Sequence, residues 1–190
     1  MNPTDTAPVT PRLPYVDESA PDVAALASQI RADRGGRLPN LYRMLLHSPA
    51  LAQGWLAFLT AVRQQSSLPP AIRELAILRV AILNRSQPEY DAHVAFALKE
   101  GLSQAKIDAL PGWTDASAFD EQERAALKLA DAMTLDVQVS DEAVADVVAR
   151  FGAQQATELI ITIAAYNMTT RFLEVLQIDQ EAGRQAPRAG

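Results

Sequence analysis

Two ionisable side chains lie one helical turn apart near the middle of the chain. Glu89 and His93 are four residues apart, and a helix brings residues at this spacing onto one face. Histidine titrates near neutrality and can act as a general base or acid, while a neighbouring carboxylate can orient the ring and raise its pKa. Ala97, a further turn along this face, leaves room for another molecule. The spacing indicates a candidate acid–base pair, but a histidine on a helix face is more often structural.

A second carboxylate, Glu74, lies in a stretch that is apolar almost all round from residue 71 to residue 83. Such a pattern is typical of a buried helix, in which a charge must be paired or must face a pocket or an interface. Glu74 therefore has two interpretations. It forms an internal ion pair with an arginine such as Arg73 or Arg79, or it is hydrogen-bonded to His93 or to a water between them.

The elements that carry these residues are two predicted helices joined by a polar elbow at residues 84–88. Pro70 opens the first helix, where a missing N–H costs nothing. In a simple antiparallel hairpin, Glu74 and His93 would lie about two turns out of register at about 1.5 Å per residue. Contact between them therefore requires crossed helices, a long Glu side chain, or a partner subunit. We predict that Glu74, Glu89 and His93 share one pocket.

The sequence alone does not decide the role of Tyr90 or whether this stretch binds a metal. Tyr90 lies beside Glu89 and His93 and could supply a phenol donor or belong to the core. Glu74, Glu89 and His93 could also bind a metal, but Glu-x-x-x-His is a common pair on helices and the signal is weak. We therefore predict no metal site.

The remaining sequence predicts an all-α protein. Apolar β-branched runs such as residues 159–163 lie within helical periodicity. We expect residues 1–19 to form an extended N-terminal arm, either disordered or wrapped around a neighbouring subunit. Residues 20–180 should form a single helical domain and residues 181–190 a polar tail. Gly54, inside a predicted helix, suggests a close helix contact. Near the end of the chain, one predicted helix ends near Gly152 and a last long helix runs from about residue 153 to residue 178.

Composition excludes several classes of function. The chain has no cysteine, which excludes disulfides, thiolate metal sites and thiol chemistry. A net charge of −6 and a pI near 4.9 argue against a nucleic-acid or an anionic membrane surface. The chain lacks an uninterrupted apolar stretch of roughly 18 residues and a secretory signal pattern. We therefore expect a cytoplasmic protein with no membrane and no nucleic-acid partner.

The pattern Arg-Glu-Leu-x-Ile-Leu-Arg-Val-Ala at residues 73–81, followed by His-x-x-x-Ala-Leu-x-x-Gly-Leu-Ser from His93, resembles the carboxymuconolactone decarboxylase family. That family includes the alkylhydroperoxidase D-like proteins, and the resemblance implies their helical fold and a homo-oligomer. The redox branch has a Glu, a Cys-x-x-Cys pair and a His at fixed spacing. Here these positions are Glu74, Ser86, Glu89 and His93, so the redox cysteines are absent.

The resemblance implies three functional hypotheses. The first is a small-molecule lyase that needs no cofactor, with His93 as general acid/base supported by Glu74 and Glu89. Substrate-binding residues would then be a donor, Tyr90 or Ser86, and a carboxylate anchor such as Arg73 or Arg85. The second, a thiol peroxidase, is disfavoured because its nucleophile is missing. The third is a ligand-binding protein that retains the fold without this chemistry.

Overall fold

The computed structural model describes residues 10–179, and within this range the chain forms helices and no strand. The all-α prediction is therefore confirmed for this part of the chain. A π turn at Ala61–Gln65 and a 3₁₀ turn at Leu110–Gly112 join the α-helices. The α-helices are α1 (Ala24–Asp33), α2 (Asn40–Leu45), α3 (Pro49–Thr60), α4 (Pro70–Leu83), α5 (Gln87–Lys99), α6 (Gln104–Ala109), α7 (Glu121–Leu135) and α8 (Asp141–Leu176).

The described residues form two compact units, one of residues 10–60 with 173–179 and the other of Ala61–Phe172. The predicted boundaries of an arm, a single domain and a tail stay a prediction. Residues 1–9 of the arm and the whole tail at 181–190 lie outside the described residues. The candidate site lies entirely in the unit formed by Ala61–Phe172.

The described part of the predicted arm is held by residues of its own unit. The amide of Arg12 donates to the carbonyl of Leu176 at 2.9 Å, and Tyr15 is hydrogen-bonded to Asp179. The guanidinium of Arg43 lies 4.8 Å from the centroid of the Tyr15 ring. Tyr15 is therefore anchored within this chain.

Helix α4 forms the core of the second unit. Residues 72–81 are buried without interruption, as the apolar pattern predicted, and α4 packs against α5 and α7. The buried Arg79 is paired within the chain, because its guanidinium meets Asp131 at 2.5 and 2.9 Å. Trp113 donates to the same carboxylate at 3.0 Å. A buried guanidinium requires such a bidentate partner.

Helix α8 is bent where the sequence indicated a break. Gly152 has φ 73° and ψ 166°, a backbone region that is essentially restricted to glycine, and it separates the two helices predicted on either side of it. By length and composition alone, α8 is the one helix in residues 10–179 that could cross a membrane, with a mean hydropathy of 1.2. Of its apolar window, 44% is buried within the protein, and a buried core helix meets the same criterion.

The expected close contact at Gly54 is wrong within the described part of the chain. A Cβ atom built at this position meets no heavy atom within 4 Å. The glycine therefore lowers the helix propensity of α3 without allowing a close approach by another element of this chain.

We expect Gly152→Ala and Gly54→Ala to change stability in opposite directions. Alanine at 152 must adopt a strained backbone and should lower the free energy of unfolding by about 1–3 kcal/mol. Alanine at 54 should raise it by up to about 1 kcal/mol, since it meets open space in a helix. Urea unfolding measures both variants, and an unchanged or increased stability of Gly152→Ala would contradict the assigned kink.

Candidate acid–base site

The three predicted side chains meet around one imidazole. Nδ1 of His93 lies 2.7 Å from Oε2 of Glu74, and its Nε2 lies 3.1 Å from Oε1 of Glu89. All three residues are buried, with 1% of the whole residue exposed at Glu74, 7% at Glu89 and 4% at His93. The predicted contact of Glu74 and Glu89 with His93 is confirmed, whereas a shared pocket and the catalytic roles of these residues stay predictions.

The elbow between α4 and α5 brings these residues together within one chain. Arg85 adopts a positive φ of 55°, and the amide of Ser86 donates to the carbonyl of Ala81 at 2.9 Å. The Asn84 amide fixes the elbow through a 2.8 Å hydrogen bond to Thr170 of α8. Glu74 and His93 therefore come into contact within one chain, without a partner subunit.

The start of α5 carries the Ser-x-x-Glu pattern of a capping box, but the box does not form. In that motif Ser86 would accept from the amide of Glu89, and the Glu89 carboxylate would return to the Ser86 amide. The structure shows no side-chain cap at Ser86, and the Glu89 carboxylate turns to His93 instead. The buried Ser86 hydroxyl has no hydrogen-bond partner among the described residues. It remains available to a ligand.

The cluster favours an imidazolium between two carboxylates. Burial alone would lower the pKa of His93, but the hydrogen bonds and negative charges of Glu74 and Glu89 outweigh it and raise that pKa. Burial alone would raise the pKa of Glu74, but His93 and then Arg73 and Arg63 lower it. The charged form of each partner stabilises that of the other.

Both interpretations of Glu74 hold at once. Its Oε1 lies 3.4 Å from Nε of Arg73, while its Oε2 accepts from His93. Arg79 pairs with Asp131 instead. Glu74 is therefore a carboxylate with both oxygens engaged.

Three residues around the imidazole were not predicted. Tyr166 of α8 meets the His93 ring edge-on at 5.1 Å between centroids, and Phe96 lies 5.6 Å away. The guanidinium of Arg63, on the π turn, is 4.9 Å from the Phe96 centroid. A tyrosine at a buried helix position needs a partner for its hydroxyl, which could have identified Tyr166. No sequence signal identified Arg63.

The Tyr166 hydroxyl is buried and has no hydrogen-bond partner among the described residues. Burial is the main cause that raises the pKa of Tyr166 far above its usual range, while the nearby charges of Arg63, Glu89, Glu74 and Arg73 act in opposing directions. The phenol therefore remains protonated and can serve only as a neutral donor or acceptor.

The other predicted substrate-binding residues are dispersed. Tyr90 packs against the buried hydrophobic cluster that includes Leu75 and Leu78, which fits its alternative as a core residue. Arg85 is exposed at the elbow, and Arg73 is committed to Glu74. Within residues 10–179, no group of three or more His, Asp or Glu side chains is arranged to hold a metal ion.

We predict that His93→Gln destabilises the protein most between pH 4.5 and 6.5. The raised pKa of His93 contributes stability that is complete below its ordinary value of 6.5 and is lost as the pH rises through the folded value. The lowered pKa of Glu74 contributes stability that is present above 4.5 and is lost as the pH falls. In this window the loss should reach about 3–5 kcal/mol, because two buried carboxylates lose their cation.

Chemical unfolding of wild type and variant at several pH values measures this difference. His47→Gln replaces the exposed second histidine and is the control, with an expected effect of about 1 kcal/mol or less. A wild-type-to-variant difference as large at pH 9 as at pH 5.5 would contradict the imidazolium assignment.

The sequence profile of the carboxymuconolactone decarboxylase family matches residues 49–132, which include all of the cluster around His93 except Tyr166. The uncharacterized protein YnjA of Escherichia coli is 28% identical over 144 residues, covering 75% of this chain and 74% of YnjA. The uncharacterized protein YdfG of Bacillus subtilis is 30% identical over 111 residues, covering 57% of this chain and 76% of YdfG.

Among solved structures, the alkylhydroperoxidase AhpD core of an uncharacterized peroxidase-related protein from Ralstonia eutropha shares the fold. Its TM-score is 0.77, with 17% identity and coverage of 93% of this chain and 95% of that one. The helical architecture is thus that of the alkylhydroperoxidase D-like proteins. From the identity to YdfG and the match to the family profile, the chain belongs to the carboxymuconolactone decarboxylase family.

Proposed function

We propose that the protein is a small-molecule lyase of the decarboxylase type, with His93 at the centre of its general acid–base chemistry. The observation that carries the proposal is the buried imidazole with a carboxylate on each ring nitrogen. Buried charges at such a density are expensive for stability alone, and strongly perturbed titratable groups cluster at functional sites. Family membership supports the same class of chemistry.

Decarboxylation makes two demands that this cluster is suited to meet. Loss of carbon dioxide from a carboxylated lactone leaves its electron pair in a conjugated carbonyl system, and a carbon must then be protonated. The developing oxyanion also needs a donor or a positive charge. Arg63 makes no ion pair with any residue in the described range, which favours it over Arg73 and Arg85 as an anchor for the substrate carboxylate.

The alternative is a ligand-binding protein of the same fold without turnover. The observation that favours it is that both nitrogens of His93 already have partners, as in a purely structural ion-pair network. Thiol peroxidase chemistry remains disfavoured, because the sequence contains no cysteine.

Release of carbon dioxide from carboxymuconolactone, the compound in the family's name, tests the proposal. We expect turnover by the wild-type protein and a fall in kcat/KM of at least about 100-fold for His93→Gln. Lys99→Gln, at the exposed end of α5, is the control and should retain activity. Binding of the lactone by the wild type without release of carbon dioxide would contradict the lyase and favour the binding protein.

The assembly and location of the protein are also proposals. We infer a homo-oligomer from exposed large apolar side chains such as Leu51, Leu135 and Val137, which are 67%, 63% and 81% exposed. The charges of α4 give no support to an interface, because Arg73 and Arg79 are paired within the chain. A cytoplasmic location and a small-molecule substrate, with no membrane or nucleic-acid partner, complete the proposal.

A further inference from the structure

The two carboxylates on His93 differ in how their second oxygens are used. Oε1 of Glu74, the oxygen that does not face His93, meets Arg73 at 3.4 Å. Glu89 uses Oε1 for His93, and no hydrogen bond joins its Oε2 to another residue of 10–179. The exposed fraction of the side chain rises along the cluster, from 2% at Glu74 through 5% at His93 to 9% at Glu89.

This asymmetry gives the cluster a closed end and an open end. Both oxygens of Glu74 meet cations, and the residue lies in the buried part of α4. Glu74 therefore orients the imidazole from the side opposite Glu89. His93 has no free ring nitrogen with which to reach a ligand directly. The free oxygen of Glu89 is the group of the cluster through which a proton can enter or leave.

We propose that Oε2 of Glu89 is the atom that exchanges a proton with the bound ligand, while Glu74 and His93 position and polarise this carboxylate. This inference rests on the proposed function and assigns the ligand-facing atom within it. Glu89 is then the catalytic residue, and His93 acts through it.

The proton transfer balances as a simple acid–base cycle. When the C–C bond to the substrate carboxylate breaks, carbon dioxide leaves and its bonding electron pair remains on the substrate as an enolate. Glu89 is ionised in the resting cluster and takes up a proton on Oε2 from solvent before this step. The enolate carbon then takes that proton, so a C–H bond forms as the O–H bond breaks. The resulting carboxylate is held through Oε1 by the N–H of His93 and recovers its proton from solvent.

The groups around Glu89 suit the negative charge that forms during this cycle. His93, on the same helix, meets Glu89 at 3.1 Å, while Arg73 and Arg63 act on the neighbouring carboxylate of Glu74. The unpartnered hydroxyl of Tyr166 lies in the field of Glu89 and Arg63. The His93 ring, at 3.1 Å, therefore faces the negative charge that the cycle leaves on Glu89.

The absence of cysteine allows each end of the cluster to be probed with a single introduced thiol. Glu89→Cys and Glu74→Cys place a thiol on opposite sides of the same imidazole. The probe is iodoacetamide, which is small and uncharged, and the alkylation rate is measured against pH by mass spectrometry. Circular dichroism establishes that each variant is folded.

We expect the thiol at position 89 to react at least about tenfold faster than the thiol at position 74, since reactivity follows exposure and thiolate character. Its rate should be half-maximal at least one unit below the pH of about 8.5 of a free cysteine. Adding His93→Gln should move that value upward. The proposal would be overturned if the thiol at position 74 were alkylated as fast as the thiol at position 89, or faster. It would also be overturned if His93→Gln left the pH dependence at position 89 unchanged.

Glu74→Cys leaves Arg73 without its partner and is the variant at risk of misfolding. If that variant misfolds, the alkylation rate of the thiol at position 89 is sufficient to decide whether the Glu89 end of the cluster is open. A rate of at least about one-hundredth of that of N-acetylcysteine supports an open end at Glu89, and a lower rate overturns it.

Turnover provides a second readout that separates the two proposals. If the wild type decarboxylates the lactone, Glu89→Gln should lower kcat by at least about 100-fold, and Glu89→Asp should restore part of it. Full activity of Glu89→Gln would overturn the role of Glu89 while leaving the lyase intact. No turnover by the wild type would refute the lyase, and the thiol rates would still decide which end of the cluster is open.

Discussion

The contact of His93 with two buried carboxylates is the interaction on which the rest of the site depends. Removing charges from water costs several kcal/mol per ion, and the attraction between them offsets this only when the geometry is complete. Here each ring nitrogen of His93 has an oxygen at 2.7 or 3.1 Å, and Arg73 meets the remaining oxygen of Glu74. Loss of any one of these side chains would leave an unpaired charge in the apolar interior of the protein.

This requirement explains the placement of the surrounding helices. Helix α4 is buried along residues 72–81 and still carries three charges, because each charge has a partner at a fixed position. Arg79 is satisfied by Asp131 of α7, and Glu74 by Arg73 and by α5. The elbow is in turn fixed to α8 through Asn84. The same packing that buries the core thus determines the position of the imidazole.

Local patterns in the sequence were sufficient to predict the helices and the pairing of Glu89 with His93. Helical spacing placed Glu89 beside His93, and the apolar run predicted that α4 is buried. The break at Gly152 was visible because a left-handed position favours glycine. The contact of Glu74 with His93 was suggested by the family resemblance, since hairpin geometry alone placed the two out of register.

Other features depend on tertiary packing and could not be read from local sequence. Tyr166 is 73 residues beyond His93 in the sequence, and Arg63 lies on a π turn that has no sequence signature. At Ser86 a local rule failed, because the capping-box partner Glu89 gains more from a charged imidazole than from a backbone amide. Such a departure from a local preference is expected where a site imposes its own geometry.

Nitrogen NMR of the protein labelled with ¹⁵N-histidine shows whether His93 is an imidazolium between Glu74 and Glu89. The chain contains two histidines, and His47→Gln assigns the remaining signals to His93. We expect both ring nitrogens of His93 to carry protons at pH 7 and to remain protonated above the ordinary histidine pKa of about 6.5. A neutral His93 ring at pH 7, with one protonated and one bare nitrogen, would contradict the account.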